Sequence, residues 1–203
     1  MAKSKWGPIG DWDVSGVTDF ESAFASAPAT FTGDGLEKWT TSSVTSLKFA
    51  FNEASAMNAN LANWDTSKVT DLTLTFSGAS SMNSDLSTWD VSSVTMMELT
   101  FTGASSFTGT GLHLWNVGKV YTRIMTMGST MLLIKPMFDA TALTSCNKRL
   151  IADAWKSSTA FYPFVKSSSN LIPDIADWLK IKKCTSPAKT PAKTGTSTHR
   201  RHT

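Results

Sequence analysis

Residues 64–90, which read WDTSKVTDLTLTFSGASSMNSDLSTWD, begin and end with the same Trp-Asp dipeptide. The recurrence extends along the chain, because tryptophan returns after 27, 25, 25 and 26 residues. The tryptophans of this series are Trp12, Trp39, Trp64, Trp89 and Trp115. A regular period of this length is typical of proteins in which each repeat stacks on the next.

The first four tryptophans of the series are followed at fixed distances by the same kinds of residue, and after Trp115 the pattern breaks. The most regular is the phenylalanine twelve positions on, found as Phe24, Phe51, Phe76 and Phe101. The apolar positions 5, 8, 12 and 15 residues after Trp are three or four residues apart, which is the spacing of one helix face. We therefore predict a short helix in the middle of each unit. Its expected capping residues are Ser15, Ser42, Ser67 and Ser92.

The other part of the unit has the pattern Leu-x-x-Trp-x-Thr or Leu-x-x-Trp-x-Val, as at residues 61–66 and 86–91. This is the L-x-x-L-x-L pattern of a leucine-rich repeat with Trp in the middle, and it predicts a short strand whose alternate residues point inward. Asp13, Asp65 and Asp90 then point outward as a candidate exposed ladder. Valine stands where such repeats usually have asparagine, so the standard asparagine ladder is not expected.

These residues resemble the BspA-like leucine-rich-repeat surface proteins, whose lipoprotein-type repeat reads roughly L-S-x-W-D-V-S-S-V-T-x-M-x-x-M-F-x-x-A-S-S-F-N. Residues 86–107, LSTWDVSSVTMMELTFTGASSF, match it almost position for position. The resemblance covers about residues 9–117, and residues 137–161 are similar to the C-terminal end unit of eukaryotic microbial members. It implies an α/β solenoid in a cell-surface or secreted protein used for adhesion or recognition. It carries over no catalytic residue.

The expected fold is therefore an α/β, leucine-rich-repeat-like solenoid of short strand plus short helix units, about four to five repeats long, with a C-terminal helical cap. We divide the chain into a repeat solenoid at 1–119, an irregular insertion at 120–137, a helical capping unit at 138–183 and a basic tail at 184–203. The tail is rich in Lys, Thr and Pro and is predicted to be disordered. Residues 180–203 hold seven basic residues and no acidic one. A solvated tether is the expected role of such a segment, and nucleic-acid binding is not expected.

The start of the chain shows no recognisable secretory signal. The opening MAKSKWGPIGDW lacks the apolar core of a secretory signal, and the longest apolar run, at 131–134, is too short to span a bilayer. An extracellular or cell-surface location is thus implied by the resemblance alone. Because the repeats begin in mid-unit, we expect either a fragment of a longer protein or an exposed first coil, and otherwise a monomer.

The sequence offers no constellation typical of catalysis. Its three histidines, His113, His199 and His202, are dispersed, and no Ser-His-Asp, Cys-His or paired-carboxylate arrangement stands out. We predict that the protein is not an enzyme and needs no cofactor or metal. Asp65 and Asp90 could also hold a hard cation one coil apart, but a turn-capping role is the simpler interpretation.

Three functions are compatible with these patterns. The first is a non-catalytic recognition or adhesion module that binds a protein or a glycan. The second is a structural or decayed repeat fragment with no ligand of its own. The third is ice binding through a column of threonines, which consists of Thr18, Thr45, Thr70 and Thr95.

The only two cysteines, Cys146 and Cys184, lie outside the repeats. A secreted repeat protein gains stability when such a pair fastens its last elements together. We therefore predict a disulfide between them, provided that their Cα atoms lie within about 7 Å of each other.

Overall fold

A computed structural model describes residues 7–120, 137–158 and 173–184. Within these residues there are two α-helices, α1 at Ser145–Trp155 and α2 at Pro173–Lys180. There are also three single 3-10 turns, at Ile9–Asp11, Leu36–Lys38 and Leu112–Leu114. Most of the remaining described backbone consists of turns and bends, and no strand is formed in it. Residues 121–136 of the insertion predicted at 120–137, and residues 185–203 of the tail predicted at 184–203, lie outside the described residues.

The repeats form a stack of five coils. Coil 1 comprises residues 7–35, coil 2 residues 36–60, coil 3 residues 61–85, coil 4 residues 86–111, and coil 5 residues 112–120 with 137–143. The first four are joined by single parallel bridges that run from Asp19 to Ser46, then to Asp71 and to Met96. One bridged residue per coil does not make a strand. Adjacent coils are held by backbone hydrogen bonds from alternate amides, such as those of Phe20 to Ser46 and Ser22 to Lys48.

The predicted strand of each unit is a turn. The amide of Trp64 donates to the carbonyl oxygen of Leu61 at 3.1 Å, and that of Trp89 donates to Leu86 at 3.2 Å. A bond to the third preceding residue closes the Leu-x-x-Trp segment on itself, so its amides are not available to a neighbouring strand. The prediction of an α/β leucine-rich-repeat solenoid is therefore wrong.

The predicted helix of each unit is a succession of turns. Amides in the middle of coil 1 alternate between two partners: Phe24 donates to Ala50 of coil 2 at 2.8 Å, whereas Ala25 donates to Ser22 within its own coil at 3.1 Å. The residue ten positions after each of the first four tryptophans has a positive φ, as in Phe49 at 57° and Leu74 at 56°, which no right-handed helix contains. In consecutive turns, residues three or four positions apart face the same side of the coil. Their apolar spacing is therefore the same as that of a helix.

Aromatic rings at equivalent positions stack along the axis of the coils. Successive ring centroids in the phenylalanine column lie 5.3, 5.6, 5.7 and 5.9 Å apart, and the rings are nearly parallel. This column is formed by Phe24, Phe51, Phe76, Phe101 and Phe138. Phe138 follows the insertion, so the repeat resumes its register there. The core is one continuous aromatic column rather than separate clusters.

Polar groups are paired between coils both in the core and on the surface. In the core, the indole nitrogen of Trp64 donates to the carbonyl oxygen of Leu36 at 2.8 Å, and the same bond recurs in the next coils. This pairing offsets the cost of removing the indole nitrogens from water. On the surface, the amide of Asn83 donates to Oδ1 of Asn58 at 2.9 Å, and the amide of Thr108 donates to Oδ1 of Asn83 at 3.0 Å. An asparagine ladder therefore exists, at a different position of the repeat from the standard one.

Coil 5 is covered by the two helices. The ring of Phe138 lies 6.3 Å from Trp155 of α1 and 5.8 Å from Trp178 of α2. The guanidinium of Arg149 on α1 donates to the carbonyl oxygens of Leu179 and Ile181 at the end of α2. Arg149 thus satisfies carbonyls that a helix end leaves without a partner and fixes α2 against α1.

We expect Glu53→Gly to raise the free energy of unfolding by up to about 1 kcal/mol. Glu53 has φ 59°, which is strained for a residue with a Cβ atom, and coils 3 and 4 have Gly78 and Gly103 at this position. Glu53 is exposed, so little packing is lost. Urea denaturation measures the effect. Glu53→Ala, which removes the carboxylate but keeps Cβ, is the control, and an equal gain from it would contradict the explanation by backbone strain.

Candidate functional site

The aspartates of the candidate ladder lie on the surface and close the turn that follows each Trp. Oδ1 of Asp65 accepts the amide of Ser67 at 3.0 Å and its hydroxyl at 2.7 Å. Asp13 and Asp90 make the equivalent bonds to the serine two positions on. The Asp-x-Ser spacing is the sequence signal for this turn. Ser15, Ser67 and Ser92 are therefore partners of an aspartate rather than helix caps.

Asp65 and Asp90 form the continuous part of this ladder. They are near enough for the charge of Asp65 to act on Asp90, whereas Thr40 occupies the same position between Asp13 and Asp65. Asp13, Asp65 and Asp90 each accept the amide of the serine two positions on at Oδ1, which is the oxygen that they use in the hydrogen bonds seen among the described residues. Oδ2 of each carboxylate thus remains available as an acceptor on the surface.

The serine bonds hold these carboxylates in their charged form. Hydrogen bonds from Ser67 lower the pKa of Asp65, and those from Ser92 lower the pKa of Asp90 against the opposing effects of burial and of the neighbouring Asp65 charge. The pKa of Asp13 is lowered in the same way by Ser15. The ladder is therefore negatively charged at neutral pH.

We expect the free energy of unfolding to fall as the pH drops below about 4, the ordinary range of an aspartate. A carboxylate whose pKa is lower in the folded chain contributes stability above its unfolded pKa, and this contribution is lost as the pH falls through the folded pKa. Urea denaturation between neutral and acidic pH measures the slope. The double variant Asp65→Asn/Asp90→Asn should retain the turns, because asparagine forms them too, and should show a shallower slope. An unchanged slope would contradict this assignment.

The threonine column is engaged in bonds between coils. The hydroxyl of Thr45 donates to the carbonyl oxygen of Thr18 at 3.0 Å, and those of Thr70 and Thr95 donate to the preceding threonine at 3.2 Å. These hydroxyl groups lie at the surface, and each one donates along the stack to the backbone of the preceding coil. The column therefore contributes to the attachment of one coil to the next.

The predicted core positions do not all have the same burial. Trp39, Trp64, Trp89 and Trp115 are 3–6% exposed, and Phe51, Phe76 and Phe101 are fully buried. In coil 1, Trp12 is 39% exposed and Phe24 is only partly buried. The sequence pattern predicts the same burial for every Trp and every Phe of the repeats. Trp12 and Phe24 differ because, among the described residues, coil 1 packs against a neighbouring coil on one side only.

The two cysteines are close to each other. Cys146 lies at the start of α1 and Cys184 follows α2, and the neighbouring Cys184 thiol raises the pKa of Cys146. Both are free thiols in the structure. The contact of Arg149 with Ile181 at 3.0 Å holds the same two segments together.

We expect the oxidatively folded protein to have the Cys146–Cys184 disulfide, because two thiols that already lie near each other can be joined with little change in the fold. Intact-mass measurement with and without reductant should show a difference of two hydrogens. Cys146→Ser is the control, since it should abolish the difference. Two thiols that react with an alkylating agent in the freshly purified protein would contradict the prediction.

Other chemical features are sparse in the part of the chain that is described. There, no group of three or more His, Cys, Asp or Glu side chains is placed to hold a metal ion. His113 has a buried Nδ1 without a hydrogen-bond partner, and burial lowers the pKa of its imidazole. His199 and His202 lie outside the described residues. None of the described helices has the length and apolar character needed to cross a membrane.

Comparison with known proteins gives one match. A family model described as "Mycoplasma protein of unknown function, DUF285" matches residues 27–135, which is just over half of the chain. No curated protein and no solved structure matches. The matched range includes coils 2 to 4, where the repeat is most regular.

Proposed function

Because the chain belongs to the family described as Mycoplasma protein of unknown function, DUF285, we propose that it is a non-catalytic recognition or adhesion module of a cell surface or of secreted proteins. The finer assignment to BspA-like proteins rests on the repeat resemblance at residues 86–107. No cofactor forms part of the proposal. The proposed ligand is a protein or a glycan.

The observation that carries this proposal is the pair of carboxylates on adjacent coils. Oδ1 of Asp65 and of Asp90 is held by a serine, so each Oδ2 has a defined direction. Two acceptors fixed one coil apart suit a ligand with neighbouring donors, such as sugar hydroxyls or a lysine or arginine side chain. Rigid placement favours binding because little freedom is lost when the ligand arrives.

The test is a binding screen of the full chain against a glycan array and immobilised matrix proteins. Asp65→Asn/Asp90→Asn keeps the turns and removes the charge, so we expect it to reduce binding of the ligand at least tenfold. Asp177→Asn is a matched control, because Asp177 is an exposed aspartate on α2, paired with Lys180. Equal binding by both variants, or no ligand in the screen, would contradict the proposal.

Ice binding is the weaker proposal for the same fold. It requires exposed threonine hydroxyls that order water, whereas Thr45, Thr70 and Thr95 donate theirs to the preceding coil. Thermal hysteresis of the purified protein would favour ice binding over recognition. We expect none.

A further inference from the structure

We propose that the surface around Asp65 and Asp90 binds an acidic glycan that carries a carboxylate on every second sugar. The inference rests on the function proposed above, because it names the ligand class of the same site. It adds to that site two exposed lysines, Lys68 and Lys119, and the spacing of the coils that present them.

Lys68 and Lys119 are cations without a carboxylate partner. Of the lysines on the described coils, Lys38 and Lys48 form salt bridges with carboxylates of coil 1. Lys68 and Lys119 form no salt bridge and donate no side-chain hydrogen bond within the described part of the chain. Both side chains are exposed, so their charges can be reached by an anionic group of a ligand.

The two lysines have the same position in the repeat, three residues after the position of the aspartate ladder. In coil 3, Lys68 follows Asp65, and in coil 5, Lys119 follows Asn116. Coil 4, between them, has Asp90 and an uncharged serine at these two positions. The charge of Lys68 acts on Asp65, and that of Lys119 acts on Asp90. The site therefore presents carboxylate acceptors and ammonium donors side by side on one surface.

This combination of charges selects the chemistry of the ligand. A purely basic partner is repelled by the lysines, and a purely anionic one is repelled by the carboxylates. Sugar hydroxyls donate to the free Oδ2 atoms of Asp65 and Asp90. A carboxylate on the same glycan accepts charge-assisted hydrogen bonds from the ammonium groups. An acidic glycan supplies both kinds of group along one chain.

The spacing of the coils favours a glycan over a peptide. The amide of Thr95 donates to the carbonyl oxygen of Thr70 at 2.9 Å beside this surface, and chain segments joined in this way lie about 4.8 Å apart. A sugar residue advances an extended glycan by a similar step. Side chains on one side of an extended peptide recur about every 6.8 Å, which matches neither one coil nor two. Because Lys68 and Lys119 lie two coils apart, they fit carboxylates on alternate sugars.

The probe is a fluorescent hyaluronan oligosaccharide, which has a carboxylate on every second sugar, titrated into the full chain and followed by fluorescence anisotropy. The matched probe is the same oligosaccharide with its carboxylates reduced to alcohols, which retains the hydroxyls and removes the charge. We expect saturable binding of the acidic probe that weakens as salt is added. We expect the reduced probe to bind about tenfold more weakly, since it loses two exposed ion pairs.

A lysine variant of the site tests the assignment from the side of the protein. Lys68→Gln/Lys119→Gln should weaken binding of the acidic probe about tenfold and leave the affinity for the reduced probe unchanged. Lys156→Gln/Lys180→Gln is the matched control, because it removes two exposed lysines from α1 and α2. It should leave the binding of both probes unchanged.

The inference is overturned, and the recognition function retained, if the reduced probe binds as tightly as the acidic one or if the two lysine variants behave alike. The same holds if the chain binds a matrix protein or a neutral glycan in the screen but not the acidic probe. Unchanged binding of the acidic probe by Asp65→Asn/Asp90→Asn would overturn both proposals, because the glycan would then be held elsewhere. A chain that binds neither probe nor any ligand of the screen would also overturn both.

Discussion

Trp64→Ala is expected to lower the free energy of unfolding by about 3–5 kcal/mol, the range for removing a large aromatic side chain from a core. Trp64 is 3% exposed, and its ring centroid lies 5.8 Å from that of Phe51 and 6.3 Å from that of Trp39. The substitution leaves a cavity in the column and deprives the carbonyl oxygen of Leu36 of its indole donor. Such a loss is a large share of the roughly 5–15 kcal/mol that stabilises an ordinary domain.

Urea denaturation followed by circular dichroism measures this effect without depending on tryptophan fluorescence. Trp12→Ala is the matched control, because Trp12 has the same position in the repeat but is 39% exposed. We expect it to cost less than half as much. Trp64→Phe should lie between the two, since it retains a ring but not the bond to Leu36. Equal losses for Trp64→Ala and Trp12→Ala would contradict the description of a column buried from coil 2 onward.

Gly111→Ala is expected to destabilise the protein by about 3–5 kcal/mol, the sum of overpacking and of a left-handed residue with a Cβ atom. Gly111 has φ 88° and immediately precedes the 3-10 turn at Leu112–Leu114. A Cβ atom there would lie 2.4 Å from the amide nitrogen of Ser87 and 2.6 Å from its Cα atom. Because these are backbone atoms, the end of coil 4 would have to move away from its start, and the turn at Leu112–Leu114 that follows it would shift too.

Substitutions at two other glycines separate the cost of backbone strain from the cost of overpacking. Gly103 has φ 74°, and a Cβ atom there would make only ordinary contacts at 3.5 Å, so Gly103→Ala should cost about 1–2 kcal/mol from backbone strain alone. Gly16→Ala meets no atom within 4 Å and should be nearly neutral. The midpoint of urea denaturation measures all three variants. A loss for Gly111→Ala no larger than that for Gly103→Ala would show that the close approach to Ser87 does not constrain the fold.

The candidate site could be read in part from the sequence. The exposed position of Asp65 and Asp90 follows from their place between inward-facing residues, and the Asp-x-Ser spacing contains the turn that holds them. The contact between Cys146 and Cys184 depends on how α2 lies against α1, which no local pattern encodes.

The sequence by itself determined the period, the stacking of units and the residues that face the core, because burial of Trp and Phe requires only that they recur on one side. It did not determine the secondary structure. A spacing of three or four residues is shared by a helix and by consecutive turns, and the two differ in where the amides donate. The amide of Phe51 in coil 2 donates to the carbonyl oxygen of Thr75 in coil 3. Its partner is therefore supplied by tertiary structure. Turns are therefore favoured over a helix only in the stacked structure, because the adjacent coil provides carbonyl acceptors for amides that would otherwise donate within their own segment.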